Sequence, residues 1–140
     1  MQILIGDGSG KRLKDICKKY CLGRMLAQNW PELYENEPWG FDNGAWGFYQ
    51  KGQELSNYNL TITDNEAESK FLLRLNKAMA IPWPPYMAVL PDIVAGGDRS
   101  LEVSLSWIGN LPDWPWYLAV QDGMTVSKVL DNIHRVFGIF

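Results

Sequence analysis

The sequence predicts an α/β fold in which parallel strands alternate with helices. Three observations carry this. Short apolar runs recur along the chain, among them Met87-Ala88-Val89-Leu90 and Tyr117-Leu118-Ala119-Val120. Between them lie segments with apolar residues at helical spacing. The later runs are apolar on successive residues, as expected where both faces of a parallel sheet are covered.

Residues 1–5 read as a first strand, stopped by Gly6-Asp7-Gly8-Ser9-Gly10. Those glycines lack the third-glycine placement and the following acid of a dinucleotide fingerprint. A helix is expected over 11–20, with Leu13, Ile16, Cys17 and Tyr20 on one face and Gly23 as its stop. Residues 24–28 read as a second strand and 30–38 as a loop with two prolines. A third strand ends over 40–42. The stretch 47–63 is polar and shows no clear period. Thr63 or Asp64 is expected to cap a helix to Met79, with Phe71, Leu72, Leu75, Ala78 and Met79 in its stripe.

Ile81-Pro82-Trp83-Pro84-Pro85 forbids helix and leads into a strand over 86–90. Asp98 is expected to cap a helix that buries Leu101, Leu105 and Ile108. A return loop over 110–115 precedes a strand over 116–120. Thr125 is expected to cap a helix with Val126, Val129, Leu130 and Ile133 inward. A last strand is expected over 137–140. Five or six strands in this order suggest a partial (β/α)8 TIM barrel formed by residues 1–140 as one domain, because a full barrel needs about 250 residues.

Composition narrows the function classes. At 46% hydrophobic and 21% charged, the chain suits a globular domain rather than a disordered one. A net charge of −3 gives no overall electrostatic footprint for nucleic acid. The basic run Lys11, Arg12, Lys14, Lys18, Lys19 reads as a solvated helix face. Seven tryptophans are expected to line crevices or cover the sheet. Cys17 and Cys21 read as reduced and structural, because two cysteines make a poor zinc site. His134 stands alone on a helix and reads as a surface or boundary residue. No apolar run reaches the roughly 18 residues of a membrane span. The expected setting is cytoplasmic, without membrane partners.

The chemistry is concentrated at three strand ends. Trp39-Gly40-Phe41-Asp42-Asn43-Gly44-Ala45-Trp46 places a carboxylate where an apolar run gives way to glycine. Leu90-Pro91-Asp92 and Val120-Gln121-Asp122-Gly123 repeat that grammar. In α/β barrels such ends hold the active site. Each could instead be an ordinary turn, since Asp and Asn favour turns.

These three elements resemble the tRNA-guanine transglycosylases, and more closely their shorter relatives that insert deazaguanines into DNA. The resemblance covers residues 39–140; residues 1–38 add nothing to it. It implies a TIM barrel that exchanges guanine for a 7-deazaguanine in tRNA or DNA, a pentosyltransferase reaction. The family's Asp-Ser-Gly-Gly-Phe element falls on Asp42-Asn43-Gly44-Ala45-Trp46, making Asp42 the acid/base group. Asp92 would read the Watson–Crick edge of the purine. The family's Val-Gln-Gly-Gly element falls on Val120-Gln121-Asp122-Gly123 and places Gln121 on the base carbonyl, with Asp122 replacing a glycine. The chemistry of the base that this resemblance implies agrees with it: a carboxylate such as Asp92 accepts both N1–H and the exocyclic amine of a guanine-type edge, and a carboxamide such as Gln121 donates to its O6. Trp46 and Phe48 could stack on the face of that base, or serve the core. The base-binding set is then Asp92, Gln121, Gly123, Asn43, Gly44 and Trp46.

In the family, a further glycine-rich loop, the nucleophilic aspartate and the Cys/His zinc site all follow these elements. None is expected within this chain, which implies no metal or cofactor here and no exchange by the chain alone. An open sheet leaves two edges that template association, so a homo-oligomer or a second chain completing the barrel is expected. Two other readings remain open: a metal-dependent hydrolase barrel using Asp42 and Asp92 as ligands, and a non-catalytic half-barrel for binding or assembly.

Overall fold

The computed structural model describes residues 2–6, 11–27, 30, 32–53 and 66–140. Its elements are β1 (Leu4–Ile5), α1 (Lys11–Tyr20), β2 (Gly23–Leu26), β3 (Trp39–Phe41), α2 (Ala45–Tyr49), α3 (Glu66–Met79), β4 (Met87–Val89), α4 (Asp98–Trp107), β5 (Trp116–Leu118), α5 (Val126–Asn132) and β6 (Gly138–Ile139). Short 3-10 turns, Ile108–Asn110 and Ile133–Arg135, extend α4 and α5.

The six strands form one sheet, ordered β1 to β6 as in the sequence. Every neighbouring pair is parallel, with Arg24 opposite Trp39, Gly40 opposite Met87 and Ala88 opposite Trp116. Parallel neighbours need a crossover connection, and each crossover here advances by one strand. The fold is therefore α/β with an all-parallel sheet. All six strand ends that follow this winding lie on one side, which brings the segments after β3, β4 and β5 together.

Alternate strand residues face the helices. Leu26, Trp39, Phe41, Ala88, Trp116 and Leu118 pack there with Phe71, Leu75 and Ala78 of α3 and Leu101, Val103 and Trp107 of α4. Phe71 meets Phe41 and Trp107 edge-on, at centroid distances of 5.8 and 5.1 Å. Burying one such ring contributes about 1.5–3 kcal/mol. Trp39, Trp114 and Trp116 form a further aromatic cluster around Phe41. The expectation that tryptophans cover the sheet thus fits these three, while Trp46 is exposed.

Several expectations need correction. The strands are shorter than the apolar runs, because the ladder stops once the chain turns into its loops. The α1 stop is Cys21, which takes the left-handed conformation at φ 51°; Gly23 is already the first residue of β2. Ile16 and Tyr20 are exposed, leaving Cys17 as the buried residue of α1. The stretch thought irregular opens with α2. Leu72 and Met79 lie outside the buried stripe of α3, and the capping roles given to Thr63 and Asp64 fall outside the described residues. In α5 only Val129 is buried; Val126, Leu130 and Ile133 are exposed, because no following helix packs on that flank among the described residues. Both cysteines are free and His134 is exposed. No helix among the described residues is long and apolar enough to cross a membrane.

Candidate functional site

The segments after β3, β4 and β5 are joined by one chain of polar side chains. Asp42 and Asn43 follow β3 directly. The Asp42 Oδ1 accepts from Gly44 N at 2.6 Å, and the Asn43 Oδ1 accepts from Ala45 N at 2.7 Å. These local bonds hold the turn and start α2, the ordinary tendency of Asp and Asn beside a helix start. Gly44 sits there at φ +72°, and a Cβ on it would lie 2.2 Å from the Arg74 guanidinium. Only glycine allows both the left-handed backbone and the close approach.

Asn43 is buried, and its amide crosses to the next strand end. Nδ2 donates to Leu90 O and to Asp92 Oδ1, both at 2.6 Å. The other oxygen of Asp92, Oδ2, accepts from Gln121 Nε2 at 3.1 Å. Gln121 Nε2 also donates to Ser100 Oγ at 2.9 Å, and its Oε1 accepts from Gly96 N at 3.2 Å. Ser100 Oγ in turn accepts from Ile93 N. The sequence-predicted pair, Asp92 and Gln121, is therefore in direct contact, with Asn43 as a third partner.

Asp92 is only 8% exposed. Burial pushes its carboxyl above the ordinary carboxylate value; the hydrogen bonds from Asn43 and Gln121 oppose this, and the nearby charge of Asp42 adds to it. An acid with neutral amide partners and a second carboxylate at the adjacent strand end is the setting in which enzymes separate two carboxyl groups into different protonation states.

The loops after β4 and β5 are locked by their backbones. Gly97 has φ +52° and ψ −134°, and a Cβ there would lie 2.7 Å from Gly123 O. Gly123, itself at φ +84°, thus contributes close backbone packing, while Asp122 is exposed. Asp98 does not cap α4: Gly97 holds the N-cap position. Its carboxylate instead accepts from Thr125 N, Thr125 Oγ1 and Lys128 Nζ, tying the start of α5 to α4.

Trp46 lies on α2 and is 61% exposed, its ring stacked on Tyr49 at 5.6 Å. Phe48 is buried, with the Arg74 guanidinium 5.2 Å over its ring, so it serves the core. Arg74, Ser100 and Ser104 are the site residues that sequence reasoning missed. Ser100 and Ser104 stand four apart on α4, and their hydroxyls turn inward to the 91–93 segment. Arg74 interrupts the apolar stripe of α3 between Phe71 and Leu75; a cation at that spacing is the signal that could have found it. Among the described residues, no group of three His, Cys, Asp or Glu side chains is placed to hold a metal ion.

No family model matches this chain, and neither the curated proteins nor the solved structures give a match.

Proposed function

We propose that this chain carries the base-binding part of a transglycosylase-like site, on six strands of a (β/α)8 barrel. The observation that carries the reading is the Asp92–Gln121 contact at adjacent strand ends. A carboxylate and a carboxamide held side by side match a guanine-type edge: the carboxylate takes N1–H and the amine, the amide donates to O6. Each Asp92 oxygen keeps acceptor capacity beyond its one internal donor. On base binding, Gln121 Nε2 exchanges Asp92 for the base carbonyl, while Asn43 and Ser100 keep both side chains oriented.

Asp42 is the candidate acid/base group, since it leads the same turn and its Oδ1 alone is used by Gly44 N. Covalent exchange also needs a nucleophile that holds the sugar, and the family resemblance puts that group after the elements seen here. The strand ends described here are proposed to bind the base. The substrate is tRNA or DNA, and a second chain or a second copy completes the barrel. A cytoplasmic setting follows from the same reading.

Calorimetric titration with guanine, 7-cyano-7-deazaguanine and adenine tests this. Binding of the two guanine-type bases alone, lost in Asp92→Ala and Gln121→Ala, is expected. A folded chain that binds none of them, or adenine equally well, would overturn the reading.

A further inference from the structure

Beside the 42–44 turn, an open cavity of about 210 Å³ lies between α2 and α3. Its walls include Gly44, Phe48, Lys51, Lys70, Leu73 and Arg74. Three cations around one cavity stand out in a chain of net charge −3. Two come from exposed lysines, one just after α2 and one on α3.

Arg74 is the informative one. Its Nη1 donates to Ala27 O at 2.9 Å and its Nη2 to Asn43 O. Its Nε is buried and has no hydrogen-bond partner. Among the described residues no carboxylate forms an ion pair with it. Burial disfavours its charge, and only the field of Asp42 works against that. A guanidinium stays protonated even so. A desolvated cation bonded to carbonyls alone favours an anion nearby.

Asn43 links this cavity to the base site. Its side chain holds Asp92, and its carbonyl holds Arg74. The two sites thus share one residue.

We propose that this cavity binds a phosphate group of a single polynucleotide strand whose base reaches the Asp92–Gln121 pair. The choice of a polynucleotide rests on the base-binding reading; the anion site itself rests on the three cations around one cavity. Two exposed ammonium groups beside the charge of a guanidinium suit a phosphate group with several acceptor oxygens. Phosphate contacts of this kind position a strand, while the base contacts specify it.

The test uses the full chain and a fluorescent single-stranded oligodeoxynucleotide with one central guanine. Anisotropy titrations over a range of salt are compared for the wild type, Lys51→Glu/Lys70→Glu and the milder Lys51→Gln/Lys70→Gln, all shown folded by circular dichroism. Inorganic phosphate and free guanine are titrated in parallel. The charge-reversed variant is expected to lose at least tenfold in oligonucleotide affinity, the neutral variant less. The salt dependence should weaken by about 0.7 in log–log slope per phosphate contact removed. Guanine binding should not change. Oligonucleotide affinity and slope equal in all three proteins would overturn the proposal, as would no oligonucleotide binding by the wild type. Inorganic phosphate bound as tightly as the oligonucleotide would overturn the polynucleotide assignment. If guanine fails to bind while the lysine variants still weaken the oligonucleotide, the base reading falls and the phosphate site stands.

Discussion

The two ends of the sheet both bury charged side chains, and they neutralise them differently. Where the strands begin, Arg24 and Glu37 are at most 1% exposed and meet through two parallel hydrogen bonds, Nε to Oε1 at 2.5 Å and Nη2 to Oε2 at 2.7 Å. Glu32 O and Tyr34 N complete the cluster. Its hydrogen bonds to Glu37 raise the Arg24 pKa against the opposing effect of burial. Where the strands end, Asp92 has amide partners and Arg74 has carbonyl partners. There burial dominates both groups, raising the acid and lowering the base. A charge balanced inside the fold needs nothing more and holds structure. A charge left to neutral dipoles is free to respond to a ligand, and such groups collect at functional sites.

The comparison breaks most visibly at the Arg24–Glu37 end. Removing one partner strands a buried charge, so Arg24→Met or Glu37→Gln should each cost about 3–5 kcal/mol in urea denaturation. The double variant Arg24→Met/Glu37→Leu should recover much of that, because replacing both members removes the desolvation penalty with the attraction. Base affinity of the folded fraction should be unchanged throughout. Single variants that cost under about 1 kcal/mol would show that this end is not the structural member of the pair.

The other end is sharpened by Asp92→Asn. The substitution turns one acceptor toward a donor and should cost about 1–3 kcal/mol at acidic pH. The pH dependence carries more information than the size. The folded-state pKa of Asp92 is raised, so the protein holds this proton where the unfolded chain releases it. The resulting stability is fully present below the ordinary carboxylate value, near pH 4, and is lost as pH rises through the raised folded value. The advantage of wild type over Asp92→Asn should therefore shrink as pH rises from about 4 through the raised folded value. Denaturation curves showing an advantage that is flat or grows with pH would mean that Asp92 is not governed by burial.

How much of this was legible in the sequence follows from what each signal depends on. The alternation of strands and helices was legible, since period and composition are local. So were Asp42, Asp92 and Gln121 at neighbouring strand ends, because sequential winding places successive strand ends side by side. Strand lengths were not, because the apolar runs continue past the ladder into buried loop, as at Leu90. The inward face of α5 was misread because Val126, Leu130 and Ile133 have helical spacing whatever packs on them. Arg74 and Ser100 were missed because their roles depend on carbonyls and amides brought from Ala27, Asn43 and Gln121, and nothing near them in the chain announces those partners.

Asp98 gives the smallest effect and fixes the boundary of the site. It shares the end of Asp92, yet its charge is balanced by Lys128 and by two donors of Thr125. The Lys128 hydrogen bond leads, and the Thr125 bonds follow, in lowering its pKa to about 2. A depressed acid contributes stability above the ordinary carboxylate value and loses it as pH falls toward 2. Carboxyl NMR titration should find that midpoint, and molar salt should move it upward, because an exposed pair is screened. Asp98→Asn should shift the melting temperature slightly and leave guanine and oligonucleotide binding as they were. The position of Asp98 then separates two explanations of the Asp92 end. If lying near the strand ends were sufficient, Asp98→Asn would weaken base affinity as Asp92→Asn does. If a buried acid with neutral partners is what binds, only Asp92→Asn will.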